Sequence, residues 1–136
     1  PVDYVSLARC YEDLGWLETS EQAYRQALDR PLPPHVRSQA LQRLGWLLKR
    51  QERRSEAAAV WHDWITSVPG PDPTPYAELA KHHEWHDLDL EAARKWALWG
   101  LHTARQMPPG PAREQAVAEL QHRLERLERK LEAEGS

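Results

Sequence analysis

A set of helix-compatible residues recurs after 37 positions: Tyr4, Leu7, Ala8, Leu14, Tyr24 and Ala27 are answered by Leu41, Leu44, Gly45, Gln51, Trp61 and Trp64. A period of this size makes each unit one supersecondary element whose apolar face is buried only by its neighbours. The chain is therefore expected to fold by stacking repeats. Such a fold builds binding surfaces more readily than a reaction chamber.

Prolines divide the units. They cluster at Pro31, Pro33 and Pro34, at Pro69, Pro71, Pro73 and Pro75, and at Pro108, Pro109 and Pro111. Proline lacks the amide donor and restricts the residue before it, so each cluster ends one helix and can seed the first turn of the next. Between clusters the apolar residues run at three- and four-residue spacing. In the first unit Tyr4, Leu7, Ala8 and Tyr11 share a helical face, Gly15 breaks the helix, and Ala23, Tyr24, Ala27 and Leu28 form the next face. The second unit repeats this hairpin with Leu41, Leu44, Gly45 and Leu48, a polar turn over 51–54, then Ala57, Val60, Trp61, Trp64 and Ile65. The third has Tyr76, Leu79, Ala80 and His83, a turn over 87–89, and a helix with Ala92, Ala93, Trp96, Ala97, Trp99 and Gly100.

The register of that last helix has two readings. Trp96 and Trp99 repeat Trp61 and Trp64 at a spacing of 35, whereas Ala93, Ala97 and Gly100 fit better with a one-residue shift. The shift is preferred, because small residues let helix axes approach and a tight contact explains a costly mid-helix glycine. After the third proline cluster, Val117, Leu120, Leu124, Leu127 and Leu131 form a short heptad seam. This predicts a capping helix whose last turns extend past the repeats or pair with another chain.

Composition excludes several classes. With 40% hydrophobic and 29% charged residues, the 136-residue chain suits one soluble domain. A formal net charge of −3 gives no general attraction to nucleic-acid phosphates, so only a local basic patch could supply one. Cys10 stands alone, no signal-like segment or long apolar run opens the chain, and a cytoplasmic location is expected. The start at Pro1, close to Tyr4 of the helical pattern, suggests a fragment of a longer protein.

These units resemble the tetratricopeptide repeat (TPR). The first matches through Tyr4, Leu7, Ala8, Tyr11, Gly15, Tyr24 and Ala27, and the second through Leu41, Leu44, Gly45, Leu48, Ala57, Trp61 and Pro69. Departures are Ser20 and Trp64 where Ala is usual, and a third unit without the turn glycine or the second aromatic. The resemblance implies a right-handed all-α superhelix of three helical hairpins, at about 2–34, 35–70 and 73–107, plus a long C-terminal capping helix over 111–134, all within one domain spanning 1–136. A narrower likeness rests on Tyr76 to Glu84, Glu91 to Trp96 and Glu119 to Leu131. These segments are similar to the C-terminal repeat region of bacterial ribonuclease-H-like exonuclease proteins, which implies an accessory module without the catalytic residues.

In tetratricopeptide folds the first helix of each pair lines a concave groove. The corresponding positions here are Arg9, Glu12, Gln42, Arg43, Trp46, Lys49, Arg50, Glu78, Lys81 and Trp85. Two Trp anchors among cations suit a peptide or partner domain with acidic groups, although the same residues also fit ordinary solvated faces. The Asn and Lys pattern of carboxylate-clamp repeats is not matched, which argues against a chaperone-tail receptor. The expected function is a protein-interaction scaffold. The alternatives are a nucleic-acid-positioning accessory region of a nuclease and a self-association module working through the Leu120 to Leu131 seam.

No enzyme, cofactor or membrane partner is expected, because Gly-rich phosphate loops, paired catalytic carboxylates and nucleophile elbows are missing from the sequence. His82, His83 and His86 with Glu84 form a weak metal-like cluster, lacking a Cys pair or an HExxH motif. The plainer reading makes His83 a core histidine with solvated neighbours, and no metal is assigned. Cys10 is expected to be a buried free cysteine. The pairs Trp61/Trp64 and Trp96/Trp99 are expected to fill the inter-repeat core.

Overall fold

The computed structural model describes residues 3–135, so residue 2, where the first repeat is expected to begin, lies outside the described residues. Seven helices are described: α1 (Tyr4–Asp13), α2 (Leu17–Leu28), α3 (Pro34–Arg50), α4 (Arg54–Ser67), α5 (Thr74–Trp85), α6 (Leu90–Ala104) and α7 (Pro111–Glu134). The described residues contain no strand. Proline and capping chemistry mark the helix starts. Pro34 and Pro111 open α3 and α7, and Pro75 lies in the first turn of α5. Asp3 caps α1 by accepting from the Ser6 amide at 3.1 Å, and Asp89 caps α6 by accepting from the Ala92 amide at 3.0 Å.

The three hairpin turns solve one geometric problem with different residues. Gly15 takes φ +79° between α1 and α2, Glu52 takes +61° between α3 and α4, and Leu88 takes +53° between α5 and α6. Only glycine adopts this left-handed region without a steric cost. The third unit therefore keeps the turn conformation while lacking the turn glycine.

The chain divides into two compact units, residues 1–69 and 70–136, with the division inside the second proline cluster. In the first unit α1 packs on α2, α2 on α3 and α3 on α4. Its core comprises Ala8, Ala23, Tyr24, Ala27, Leu41, Leu44, Leu48, Ala57, Val60, Trp61 and Trp64. Gly45 is required here, since a Cβ at that position would fall within the van der Waals radius of the Trp61 indole. The departure at Ser20 also has a physical reason: the buried hydroxyl donates to the Ala8 carbonyl at 2.7 Å, joining α2 to α1.

In the second unit α6 packs on both α5 and α7. The small-residue register of α6 is the one observed: Ala93, Ala97, Gly100 and Ala104 are buried. A Cβ on Gly100 would come within 3.1 Å of both Leu120 and the Tyr76 Cβ, so the glycine lets α5, α6 and α7 meet closely. This register corrects the expectation for the second tryptophan pair. Trp96 is half-buried against Tyr76, with ring centroids 6.1 Å apart, and Trp99 is 58% exposed. Each precedes a buried position by one residue and so lies at the edge of the stripe.

The heptad seam of α7 is used within the unit. Leu127 packs with Ala80, Ala93 and Ala97, while Leu120 packs with Leu101 and Ala104, and Leu124 touches both clusters. Leu120 and Leu127 are thus enclosed within the unit itself. Cys10 is exposed rather than buried. It follows buried Ala8 by two residues, about 200° round the helix, and therefore points away from α2. No helix of the described residues is long and apolar enough to cross a membrane.

Candidate functional site

The predicted groove residues fall into two groups, one in each unit. In the first unit Arg9, Trp46 and Arg50 are exposed, whereas Gln42, Arg43 and Lys49 are half-buried. Trp46 is 47% exposed because it projects from α3 away from the buried face of Leu44, Leu47 and Leu48. The cations around it are partly committed. Glu12 on α1 faces Arg43 at 3.6 Å and Arg50 at 3.5 Å, and it accepts a hydrogen bond from the Tyr24 hydroxyl at 2.8 Å. Burial, reinforced by that hydrogen bond to a carboxylate, pushes the Tyr24 phenol well above its ordinary range.

In the second unit Lys81 is half-buried and lies 3.5 Å from Glu78. Glu78 is itself buried, which corrects its expected place on an exposed groove face. It immediately precedes Leu79 and Ala80, the residues that α5 turns into the core. Trp85, in contrast, is 54% exposed at the end of α5. The Lys130 ammonium lies 3.9 Å from its ring centroid and the Arg126 guanidinium 5.7 Å away, both from α7. Cation–π attraction of this kind is worth about 0.5–2 kcal/mol, more as water is excluded.

Arg126 and Lys130 are held by Glu84, whose side chain is fully buried. Arg126 donates to it through Nε at 3.0 Å and Nη2 at 2.8 Å, Lys130 through Nζ at 2.7 Å, and Arg123 through Nη1 at 3.3 Å. Burial pushes the Glu84 carboxyl upward, but the hydrogen bonds and charges of Arg126 and Lys130 outweigh it and hold the carboxyl below its ordinary value. The hydrogen bonds to Glu84 in turn raise the Arg126 guanidinium.

The two units share a device. Glu12 meets cations seven residues apart on α3, Arg43 and Arg50, and Glu84 meets cations seven residues apart on α7, Arg123 and Lys130. Two helical turns separate such residues, so both face the same side. Relative to its carboxylate, α7 thus plays the part that α3 plays in the first unit. None of the α7 residues was among the expected groove residues, because the mixed charge of that helix reads as a solvated face. The signal that could have found them is the spacing of Arg123, Arg126 and Lys130 by three and four.

The histidine cluster separates from Glu84, which turns toward α7. His82 and His83 instead lie 3.4 and 3.2 Å from the Asp87 carboxylate, and the His82 and His86 rings are 6.2 Å apart. His83 Nδ1 is within ion-pairing distance of Asp87, and it is buried without a hydrogen bond. Burial pushes the His82 imidazole below its ordinary value despite the attraction of Asp87. Among the described residues no group of three or more potential ligands is arranged to hold a metal ion. A 550 Å³ cleft in the first unit, lined by Arg25, Asp29, Arg37, Glu56 and Asp63, mixes charges that satisfy one another, as Arg37 and Asp63 do at 3.4 Å.

The described residues are all-α, and their helices pair into hairpins as a helical repeat requires. Residues 4–31, which comprise α1 and α2, match the family model of the tetratricopeptide repeat. No curated protein and no solved structure matches the chain, so the narrower likeness to the exonuclease repeat region finds no support.

Proposed function

We propose that the chain is a protein-interaction scaffold that captures a peptide or partner domain on the first helices of its hairpins. The observation that carries this reading is the exposure of two first-helix tryptophans beside cations. Trp46 and Trp85 are about half exposed, whereas Trp61 and Trp64 of α4 are core residues; Trp99 of α6 is also exposed but lies on a second helix. Trp and Arg are among the residue types enriched at binding hot spots, and a large exposed apolar ring beside charge is well suited to desolvation by a partner. Tetratricopeptide repeats are generally protein-interaction motifs, which agrees with the match over α1 and α2.

Selection from a phage-displayed dodecapeptide library tests the reading. Peptides should be enriched on the natural chain and retained at least about tenfold less well by Trp46→Ala, Trp85→Ala or the double variant, with melting temperatures nearly unchanged, since a hot-spot Trp contributes about 2 kcal/mol or more. Enrichment that ignores both tryptophans would overturn it. So would a failure to enrich peptides together with salt-dependent retardation of single-stranded oligonucleotides, which is the behaviour expected of a nuclease accessory region.

A further inference from the structure

Resting on that scaffold reading, we propose that Trp85, Arg126 and Lys130 form a docking site in the second unit for an acidic peptide segment carrying an apolar side chain. The site is assembled from two helices, α5 and α7, and its charge is unbalanced. Arg123, Arg126 and Lys130 converge on the single carboxylate of Glu84, which leaves two positive charges in excess among these four groups. Glu84 is fully enclosed and its oxygens are occupied, so the excess faces outward through Arg126 and Lys130, whose side chains remain 28% and 35% exposed. Beside them lies the half-exposed indole of Trp85, whose ring both cations approach.

Each part has a consequence for the ligand. The hydrogen bonds to Glu84 already restrict two long side chains that would otherwise lose rotamer freedom on binding, so the cationic pair is preorganised. The indole offers a flat apolar surface for a Leu, Ile or aromatic side chain, and the cations take carboxylates on either side of it.

Charge complementarity favours a peptide over a nucleic acid. Exposed Glu125, Glu128 and Glu132 follow one another along α7, so the positive charge beside Trp85 is interrupted and does not form the continuous track that a phosphate backbone favours. Binding of single strands also relies on successive stacking aromatics along a track, whereas this site presents one ring.

The test uses the full chain and a fluorescein-labelled dodecapeptide alternating Glu with Leu, followed by fluorescence anisotropy and by the indole N–H signals in 1H–15N NMR spectra. The signal missing from the Trp85→Ala spectrum assigns Trp85. The natural chain should bind the peptide, move the Trp85 signal, and bind more weakly as salt screens the cations. Trp85→Ala and Lys130→Gln should each weaken binding about tenfold or more, with circular dichroism unchanged, as expected for loss of a ring contact or of a charged hydrogen-bond donor. Trp99→Ala, which removes an exposed ring of α6, should bind as the natural chain does.

Binding that moves the Trp46 signal and is lost in Trp46→Ala would overturn this site while leaving the scaffold reading intact. Absence of acidic-peptide binding, when library selection does yield peptides dependent on the tryptophans, would overturn the ligand chemistry alone. Stronger binding of a dodecathymidylate probe than of the peptide would overturn the choice of partner class.

Discussion

At the scale of single residues, the packing of this chain depends on where a side chain is smallest. Gly45 admits the Trp61 indole against the α3 backbone, and Trp61 is only 1% exposed, with Trp64 beside it at a ring separation of 6.1 Å. The ring cannot swing into solvent to make room for a methyl group. Gly45→Ala gains helix propensity of about 0.5–1 kcal/mol, yet overpacking a rigid core typically costs about 1–3 kcal/mol. A net fall in melting temperature is therefore expected on thermal denaturation followed by circular dichroism, and an increase would show that α3 and α4 readjust freely. Gly45 was legible in the sequence as a small residue at a repeat position, but its partner was not. The hydrogen bond from Ser20 to Ala8 was equally hidden, because a hydroxyl at a small-residue position does not declare which carbonyl it will reach.

At the scale of elements, the least foreseen feature is the attachment of α7 to α5. Its leucines announced an amphipathic helix, and Leu120 and Leu127 do enter the core. The ionic half of the contact was missed because Glu84 sits in sequence among histidines, whereas its three partners lie 39 to 46 residues away. Glu84→Gln should destabilise the second unit at neutral pH by about 1–3 kcal/mol, less than a fully buried pair would cost, because Arg126 and Lys130 keep some contact with water. The pH dependence has a definite sign. A carboxyl held below its ordinary value of 4.5 contributes stability that is present above that value and is lost as pH falls through the folded-state value. The natural chain should therefore lose stability on acidification below about pH 4.5, and Glu84→Gln should flatten that part of the curve. Parallel acid limbs for the two proteins in urea titrations would count against a structural role for the charge.

At the scale of the molecule, the two units are finished differently. In the first, α1 leaves Leu7 38% exposed, whereas its repeat counterpart Leu44 on α3 is 1% exposed. In the second, α7 supplies the surface that α6 needs, so residues 111–134 belong to the fold rather than to a tail. A chain ending at Gly110 would expose Leu101, Ala104, Ala93 and Ala97, all of which pack against α7 leucines or beside them. Repeat units are stabilised chiefly by their neighbours, so this truncation should lose more helical signal than α7 alone accounts for and should bind a hydrophobic dye. A loss limited to the share of α7 would mean that α5 and α6 hold together unaided.

What the sequence determined by itself is the succession of helices. Proline clusters and three- and four-residue apolar spacing act locally, through backbone geometry and one-sided burial, and so were readable before any tertiary contact was known. The register of α6 was also readable, since Ala93, Ala97 and Gly100 permit a close approach that two tryptophans forbid. The tertiary structure decided which polar residues became partners. Glu78 is buried, Trp99 and Cys10 are exposed, and Glu84 gathers Arg123, Arg126 and Lys130 around Trp85. Charged side chains carry no periodic mark of their destination, and long flexible cations can meet any carboxylate that packing brings within reach.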